Sequence, residues 1–335
     1  MKAIRLGSPI GLDTLQVVDI PDPGQPGPGE VRVRVRASSL NFHDLGVVTG
    51  RMAAQVGRIP MSDGAGVVEA VGPGVSEFAP GDAVVSTFFP HWSDGAATIG
   101  DFAGTPGDGI DGFAQEHVVR PANAFTRAPK GWSHAEAATI TTAGLTAWRA
   151  LVADGGLKAG DTVLALGTGG VSIYALQIAK LMGAAVVVTS SSDEKLERAT
   201  TLGADHAINY RQNEAWGEAA RAWTGGRGVD HVIEVGGPGT LAQSITAVRV
   251  GGHISLIGVL TGLSGEVPTG LLLARQARLQ GLIVGSRRQQ QEFVAALDLS
   301  DLRPVIDVSF GLEDISQAFA LQAAGKHFGK IVLEW

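Results

Sequence analysis

A glycine-rich turn between a strand and a helix is the segment that most constrains the fold of this 335-residue chain. Residues 161–166 form a short apolar run typical of a buried strand, and a helical pattern follows from residue 172. Glycines at such a junction let the backbone approach a pyrophosphate, and the helix N-terminus supplies free N–H donors. The turn therefore predicts a dinucleotide site, whose residues are Gly167, Thr168, Gly169, Gly170 and Val171. Ser172 stands where the usual pattern has its third glycine, a place that needs only a small residue.

Strand and helix patterns alternate from residue 162 to about residue 285. This alternation predicts parallel βαβ units and therefore an α/β fold with a doubly wound parallel sheet of the Rossmann type. The predicted strands are 162–166, 185–189, 206–209, 231–235, 253–257 and 279–284, and the predicted helices are 172–182, 192–202, 213–223 and 239–248.

The first 125 residues are predicted to be rich in β-structure. Residues 31–37 alternate apolar residues with arginines, and 66–72 and 82–86 are further strands separated by Pro-Gly turns. Residues 88–112 are rich in Gly and Asp without periodicity, which predicts either a surface loop or a lid that lines a substrate pocket. Near the C-terminus, the pattern predicts one helix over 315–324 and a strand over 330–334.

Composition excludes several classes of function. The chain has no cysteine, so disulfides, thiolate nucleophiles and cysteine-ligated metal centres are impossible. Its eight histidines are scattered without a metal-binding spacing, and we expect no metal. The net charge of −7 and the lack of a basic run argue against nucleic acid or an anionic membrane as a partner. No signal-like or membrane-spanning apolar segment appears, so the expected location is cytoplasmic.

The end of the second predicted strand distinguishes between the two nicotinamide cofactors. An NAD site places a carboxylate there to bind the ribose 2′-hydroxyl, whereas this strand runs into Ser190, Ser191 and Ser192. Hydroxyl groups and a cation suit a 2′-phosphate, and Lys195 lies one helical turn further on. Asp193 is the counter-evidence, and capping of the next helix is the alternative role for Ser192. The segment predicts NADP(H).

Further segments match a known family in its own order: 64–75, 78–84, 143–147, 202–210 and 327–332. On these segments the chain resembles the medium-chain dehydrogenase/reductase superfamily over essentially its whole length. The resemblance implies a β-rich GroES-like catalytic domain, residues 1–125 completed by 300–335, around a Rossmann NADP-binding domain at 126–299. It also implies an active site in the cleft between these domains and a homodimer formed through the edge of the cofactor-domain sheet.

The zinc-dependent members of that superfamily bind catalytic zinc through a Cys and a His, for which this chain has Asn41 and Ser62. The family's four-cysteine zinc lobe is also missing. The chain therefore resembles the zinc-less branch, which includes quinone oxidoreductases and enone reductases. A quinone or an α,β-unsaturated carbonyl needs no Lewis acid, because charge delocalises from the attacked carbon onto an oxygen. The alternatives are a zinc-free alcohol dehydrogenase or aldehyde reductase, and a non-catalytic NADPH-binding protein.

Four residues are the predicted catalytic set. Asn41 replaces the zinc ligand and is expected to donate a hydrogen bond to the reacting oxygen, unless it only forms a turn. His43 is expected to deliver a proton or to hold the nicotinamide ribose, the alternative being a half-exposed loop histidine. Ser62 and Asp63 are expected to line the site, and Asp44 is expected to cap the segment that follows it.

The resemblance implies further cofactor contacts. Tyr210 matches, together with Lys195, residues that such reductases use around the 2′-phosphate. Gly258 ends the fifth strand, where the family's backbone approaches the nicotinamide. Thr142 and Thr146 lie on a helix that leads to the expected cleft and either contact cofactor phosphates or pack in the core.

Three residues near the C-terminus complete the predicted cofactor set. Ser286 and Arg287 follow the sixth predicted strand, and Arg287 is expected to pair with a cofactor phosphate unless it is simply solvated. Lys330 carries the same two alternatives.

Overall fold

The computed structural model describes all residues from Met1 to Trp335. The chain forms two compact units. We call residues 146–283 the central unit, and residues 1–145 together with 284–335 the split unit. The predicted domain boundaries, at 125/126 and 299/300, differ from the boundaries between these units, at 145/146 and 283/284, and stay a prediction.

The chain contains fifteen strands and ten α-helices. The strands are β1 (Lys2–Arg5), β2 (Gln16–Asp19), β3 (Glu30–Ser39), β4 (Ala65–Val71), β5 (Ala83–Ser86), β6 (His117–Pro121), β7 (Phe125–Arg127), β8 (Thr162–Leu166), β9 (Ala185–Ser190), β10 (His206–Asn209), β11 (Val229–Glu234), β12 (Val248–Leu256), β13 (Arg278–Gly281), β14 (Ile306–Gly311) and β15 (Lys330–Glu334). The helices are α1 (Phe42–Val48), α2 (His134–Ala138), α3 (Leu145–Trp148), α4 (Gly170–Leu181), α5 (Asp193–Thr201), α6 (Trp216–Trp223), α7 (Pro238–Ala247), α8 (Thr269–Arg275), α9 (Arg287–Leu297) and α10 (Ile315–Ala323). Two π-helical turns, Ile140–Gly144 and Arg149–Ala153, flank α3.

The central unit is built on a six-stranded parallel sheet in the order β10-β9-β8-β11-β12-β13. In chain order this is 3-2-1-4-5-6, the doubly wound arrangement that places a ligand at the carboxyl ends of the strands. Every residue of β8 and β11 is buried, because parallel strands in this fold are covered on both faces. The predicted fold class is confirmed.

The split unit is β-rich, as predicted. Its main sheet has seven strands in the order β14-β15-β3-β4-β5-β7, with β6 also paired to β3. The strand β3 alternates buried valines with partly exposed arginines, so its valines pack in the core on one face of the sheet. The carboxyl end of β3 is followed directly by α1, and the residues around position 41 that join them lie in the interior.

Several elements have no counterpart among the predicted ones, including α8, α9 and β14. Helix α9 begins with polar residues, and its apolar positions, Phe293, Val294 and Leu297, appear only in its second half. A capping box between Ser286 and Gln289 was the readable signal for its start. Helix α8 buries no residue and so lacks an amphipathic pattern, and strand β14 is only partly buried. None of the ten α-helices combines the length and the apolar character that a membrane span requires.

Candidate active site

The glycine turn has the geometry that the sequence predicts. Gly167 has φ of +74°, a conformation that favours glycine, and Gly169 is the residue before the first turn of α4. A Cβ atom built on Gly167 or Gly169 would meet no protein atom within 4 Å, so the turn leaves open space next to the N-terminus of α4. This cradle fits the pyrophosphate of a dinucleotide.

Ser172 replaces the third glycine for a reason visible in the structure. Its hydroxyl donates a hydrogen bond of 2.6 Å to the carbonyl oxygen of Leu166, and its side chain is buried. The hydroxyl therefore ties the first turn of α4 to the end of β8, which is the close packing that a glycine provides elsewhere.

The end of β9 is organised by serines. The Ser190 hydroxyl accepts a hydrogen bond from the Ser192 N–H at 3.2 Å, and the Ser192 hydroxyl accepts one from the Lys195 N–H at 3.3 Å. Ser192 is thus the N-cap of α5, as the alternative interpretation held. The Tyr210 N–H donates to the carbonyl oxygen of Ser190 at 3.1 Å, and the Tyr210 side chain is exposed. Ser190, Ser191, Lys195 and Tyr210 thus lie around one strand end.

Asp193, the counter-evidence for NADP, has its carboxylate engaged elsewhere. Asn209 Nδ2 donates to one carboxylate oxygen at 2.6 Å, and Gln212 Nε2 donates to the other at 3.0 Å. The Asp193 side chain is therefore directed toward the turn after β10 rather than left available to a ribose hydroxyl at the end of β9.

A buried glutamate that the sequence analysis missed organises the loop after β11. The Glu234 carboxylate accepts hydrogen bonds from the N–H groups of Gly236 and Gly237 and from the hydroxyls of Thr240 and Ser244. The same loop explains Gly258, because a Cβ atom there would lie 2.2 Å from the carbonyl oxygen of Val235. The sequence signal is a carboxylate directly after Val232 and Ile233, near the end of a predicted strand.

In the split unit, Lys330 is the centre of a buried polar network. Its ammonium donates to the carbonyl oxygen of Leu40 at 2.5 Å and to Asn41 Oδ1 at 2.6 Å. Burial lowers the pKa of Lys330, and the charges of Asp44 and Asp63 act in the opposite direction. The residue is therefore not retained as a phosphate ligand: it is almost completely buried, and its side chain is bound inside the split unit.

Asp44 joins the start of α1 to the segment that contains Ser62. One carboxylate oxygen accepts the Asn41 N–H at 3.0 Å, which caps the helix as predicted, and the other accepts the Ser62 N–H at 2.8 Å. Burial is the main influence on the Asp44 carboxyl and raises its pKa.

Asp63 is completely buried and accepts two short hydrogen bonds. The Ser39 hydroxyl donates to one of its oxygens and the Thr142 hydroxyl to the other, each at 2.6 Å. Burial raises the pKa of Asp63 to about 6, the nearby Asp44 adds to this rise, and Lys330 opposes it. Thr142, for which the sequence predicts either a cofactor contact or core packing, has its hydroxyl bound to this carboxyl group.

The Asn41 amide has several internal partners. Because an ammonium only donates hydrogen bonds, the contact with Lys330 fixes which end of the amide is the oxygen. The amide nitrogen then faces the Asp44 carboxylate at 3.1 Å, the Ser39 carbonyl at 3.3 Å and the Ser62 hydroxyl at 3.5 Å. The structure thus brings together Asn41 and Ser62, the two residues that replace zinc ligands. It also provides acceptors within the protein for both N–H groups of the Asn41 amide.

His43 lies among aromatic rings at the start of α1. Its ring centroid is 5.3 Å from that of Phe88 and 4.6 Å from that of Phe102, and its side chain is 12% exposed. Its Nε2 atom faces the Asp108 carboxylate at 3.4 Å. Burial lowers the pKa of His43, and the charges of Asp108 and Asp63 oppose that effect. Residues 88–112 thus supply part of the surroundings of His43.

Met61, next to Ser62, has a backbone conformation that is unusual for its residue type. Its φ is +82° and its side chain is completely buried. A Cβ atom on Gly107 or Gly112 would collide with the Met61 backbone, so both glycines are needed for this close approach. Strained residues of this kind cluster at functional sites, and Met61 orients the chain directly before Ser62 and Asp63.

Three other predicted cofactor residues have defined internal positions. Ser286 is the buried N-cap of α9, where its hydroxyl accepts the Gln289 N–H at 3.2 Å. The Arg287 guanidinium pairs with Glu77 at 2.6 Å and donates to the carbonyl oxygen of Phe125. Arg287 is therefore not retained as a phosphate ligand. Thr146 is buried in α3, in accord with the packing alternative.

The donor set around position 41 does not fit zinc. Asn41 and Ser62 offer a neutral amide and a hydroxyl, whereas zinc prefers thiolate, imidazole and carboxylate ligands. No group of three or more His, Cys, Asp or Glu side chains in the structure is arranged to hold a metal ion.

Comparison with known proteins defines the family. Residues 27–130 match the alcohol dehydrogenase GroES-like domain, and residues 170–301 match the zinc-binding dehydrogenase domain. A zinc-type alcohol dehydrogenase-like protein of Schizosaccharomyces pombe is 42% identical, with 97% of this chain and 96% of that protein covered. The chain therefore belongs to the medium-chain dehydrogenase/reductase superfamily, a family of nicotinamide-dependent oxidoreductases.

Solved structures agree with this assignment. A candidate alcohol dehydrogenase from Sinorhizobium meliloti 1021 is 43% identical with a TM-score of 0.92, and 100% of this chain and 99% of that chain are covered. An NAD-dependent alcohol dehydrogenase is 35% identical with a TM-score of 0.90 and full coverage of both chains. A mycobacterial protein solved with NADPH is 27% identical with a TM-score of 0.82, also with full coverage of both.

Removal of the buried ammonium tests the network. Lys330→Met leaves Asp44 and Asp63 without their cation, and we expect it to reduce the free energy of unfolding at pH 8 by about 3–5 kcal/mol. The raised carboxyl pKa values rise further in the variant, so protonation offsets part of the loss as pH falls from 8 to 5. Urea unfolding at pH 5 and pH 8 measures both effects, and the exposed Lys326→Met is the control. An equal loss at both pH values would contradict charge coupling.

Proposed function

We propose that this protein uses NADPH to reduce quinones or α,β-unsaturated carbonyl compounds without a metal ion. The observation that carries the proposal is the contact between Asn41 and Ser62, two neutral side chains at the positions where zinc-dependent relatives have ligands. Without a Lewis acid, a plain ketone lacks strong stabilisation of its developing oxyanion. A conjugated acceptor delocalises that charge, so neutral donors are sufficient.

NADPH is proposed over NADH because of the end of β9. Ser190 and Ser191 occupy the place of a ribose-binding carboxylate, Lys195 follows on α5, and Asp193 is held by Asn209 and Gln212. A 2′-phosphate is repelled by a carboxylate and attracted by hydroxyls and an ammonium.

His43 is the proposed proton donor. Bound NADPH supplies a hydride, which leaves an enolate or hydroquinone anion that must gain one proton. Among the four predicted catalytic residues, His43 alone keeps a partly exposed side chain, since Asn41, Ser62 and Asp63 are buried. His43 gives up its ring proton to the anion and recovers it from solvent. Asn41, Ser62 and Asp63 are proposed to form the framework that fixes the start of α1.

Aromatic side chains near His43 favour a flat acceptor. Phe88, Phe89 and Phe102 lie with centroids 4.8–6.4 Å apart, and Phe89 and Phe102 are nearly parallel. A cavity of about 320 Å³ next to these rings is lined by Phe89, His91, Ile99 and Gly104, among others. Planar conjugated compounds gain dispersion and stacking energy from such rings.

We also propose a homodimer formed through the open edge of the central sheet. Strand β13 is an edge strand, and the loop and helix that precede it in the chain expose large apolar side chains, including Leu263 at 89% and Leu273 at 78%. Such a surface favours association.

Sedimentation equilibrium should give twice the chain mass of 34.5 kDa, and Leu273→Glu should shift the measured mass toward that of the monomer. A wild-type monomer at micromolar concentration would contradict the proposal.

A panel of acceptors tests the reaction. NADPH oxidation, followed by its absorbance, should be fastest with quinones and enones and at least about tenfold slower with saturated aldehydes, since only conjugation lowers the barrier without a Lewis acid. The rate should not change after treatment with a chelator. Faster turnover of saturated aldehydes or alcohols would instead favour the alcohol dehydrogenase function that several relatives' names carry. Tight NADPH binding without oxidation by any acceptor would favour a non-catalytic protein.

Cofactor preference has its own test. Ser190→Asp adds a negative charge where we place the 2′-phosphate and should weaken NADPH binding by about tenfold or more, while NADH binding is kept or improved. Ser190→Asn is the matched control, because it has the same size without the charge. Calorimetric titration of both variants measures the effect. Unchanged NADPH affinity in Ser190→Asp would mean that the 2′-phosphate binds elsewhere.

A further inference from the structure

We propose that Asp108 is a positioning residue for His43 and thereby determines which nitrogen of the imidazole ring meets the acceptor. The proposal rests on the proposed function of His43 as proton donor. Asp108 belongs to the 88–112 segment, for which the sequence indicated only a loop or a lid.

The pair has the geometry of an orienting contact. His43 Nε2 is buried, has no hydrogen-bond partner within the split unit, and lies 3.4 Å from Asp108 Oδ2. Both side chains are about nine-tenths buried. A buried ring nitrogen without a partner is costly, and the carboxylate of Asp108 faces it. The distance is slightly longer than that of a formed N–H···O hydrogen bond, so the contact is mainly electrostatic.

The direction of proton transfer follows from this contact. With Nε2 facing Asp108, a proton given to an acceptor must leave from Nδ1. A carboxylate beside the Nε2–H group also stabilises the doubly protonated imidazolium, which is the form that acts as an acid. The rings of Phe88 and Phe102 pack against the imidazole, one edge-on and one tilted, and restrict its rotation. Asp108 and the two phenylalanines therefore fix the ring together.

Asp108 is held by an ordered turn rather than by a free loop. Its N–H donates to the carbonyl oxygen of Thr105 at 3.3 Å, and the Gly107 N–H donates to that of Ile110 at 2.9 Å. Gly107 also packs against the backbone of Met61. The carboxylate is thus attached to the same backbone that positions Ser62 and Asp63.

The charges that face this pair are few. The charges of Asp108 and Asp63 influence the pKa of His43, and the charges of His43, Arg58 and Asp44 influence the pKa of Asp108. Burial works against the charged form of both partners: it lowers the pKa of His43 and raises the pKa of Asp108. The carboxylate at Asp108 consequently keeps the imidazole easier to protonate than burial alone would allow.

The test uses Asp108→Asn, which keeps the shape of the side chain and removes its charge. The His43 pKa, measured by NMR titration of the imidazole signals and assigned by their loss in His43→Gln, should fall by about one unit or more. Reduction of a quinone or enone needs protonated His43, so the limb of the pH profile where kcat falls with rising pH should shift to lower pH by the same amount. The exposed Asp94→Asn on the same segment is the control and should change neither quantity.

A double variant separates positioning from a general loss of structure. If Asp108 acts through His43, His43→Gln/Asp108→Asn should be no slower than His43→Gln alone, whereas independent roles would multiply the two losses. An unchanged His43 pKa in Asp108→Asn would overturn the inference even if the protein reduces quinones. If no acceptor is reduced, the proposed function fails, and the NMR titration still decides whether Asp108 controls the ring.

Discussion

The ammonium of Lys330 is the group on which the polar interior of the split unit depends. Two carboxylates, Asp44 and Asp63, are buried within the same network; burial raises the pKa of both, and the charge of Lys330 opposes that rise. The ammonium also fixes the orientation of the Asn41 amide. One charge at the start of β15 therefore determines how the end of β3, the start of α1 and the segment around Ser62 meet.

The buried ammonium of Lys330 differs in function from the zinc ion of zinc-dependent relatives. In the zinc-dependent relatives that the sequence resembles, a divalent cation sits between the ligands that Asn41 and Ser62 replace. Here the positive charge belongs to a lysine that contacts the amide oxygen of Asn41 rather than a reacting oxygen. The lysine supplies structural order without Lewis acidity, which agrees with chemistry that relies on the conjugation of the acceptor.

The sequence predicted the central unit well because its signals are local. The strand–turn–helix at 162–181 and the serines after β9 depend on neighbours within a few residues, so their positions in the fold could be predicted from order alone. The residues of the split unit could not be assigned in this way. Lys330 lies 289 positions from Asn41 and Asp108 lies 65 positions from His43, and no periodicity connects such pairs. For Arg287 and Lys330 the sequence predicts either a phosphate ligand or a solvated cation, because an isolated cation in a sequence does not reveal an internal acceptor.

The packing of Gly107 and Gly112 against Met61 divides the 88–112 segment into two parts with different tolerance to change. Any side chain at these glycines would displace the backbone before Ser62, so the inner part cannot be altered without disturbing the site. Residues 94–98 are exposed and make no such approach. In laboratory evolution, libraries and insertions confined to the outer part should alter which acceptors are accepted while the protein still folds, and natural homologues should differ in length there first.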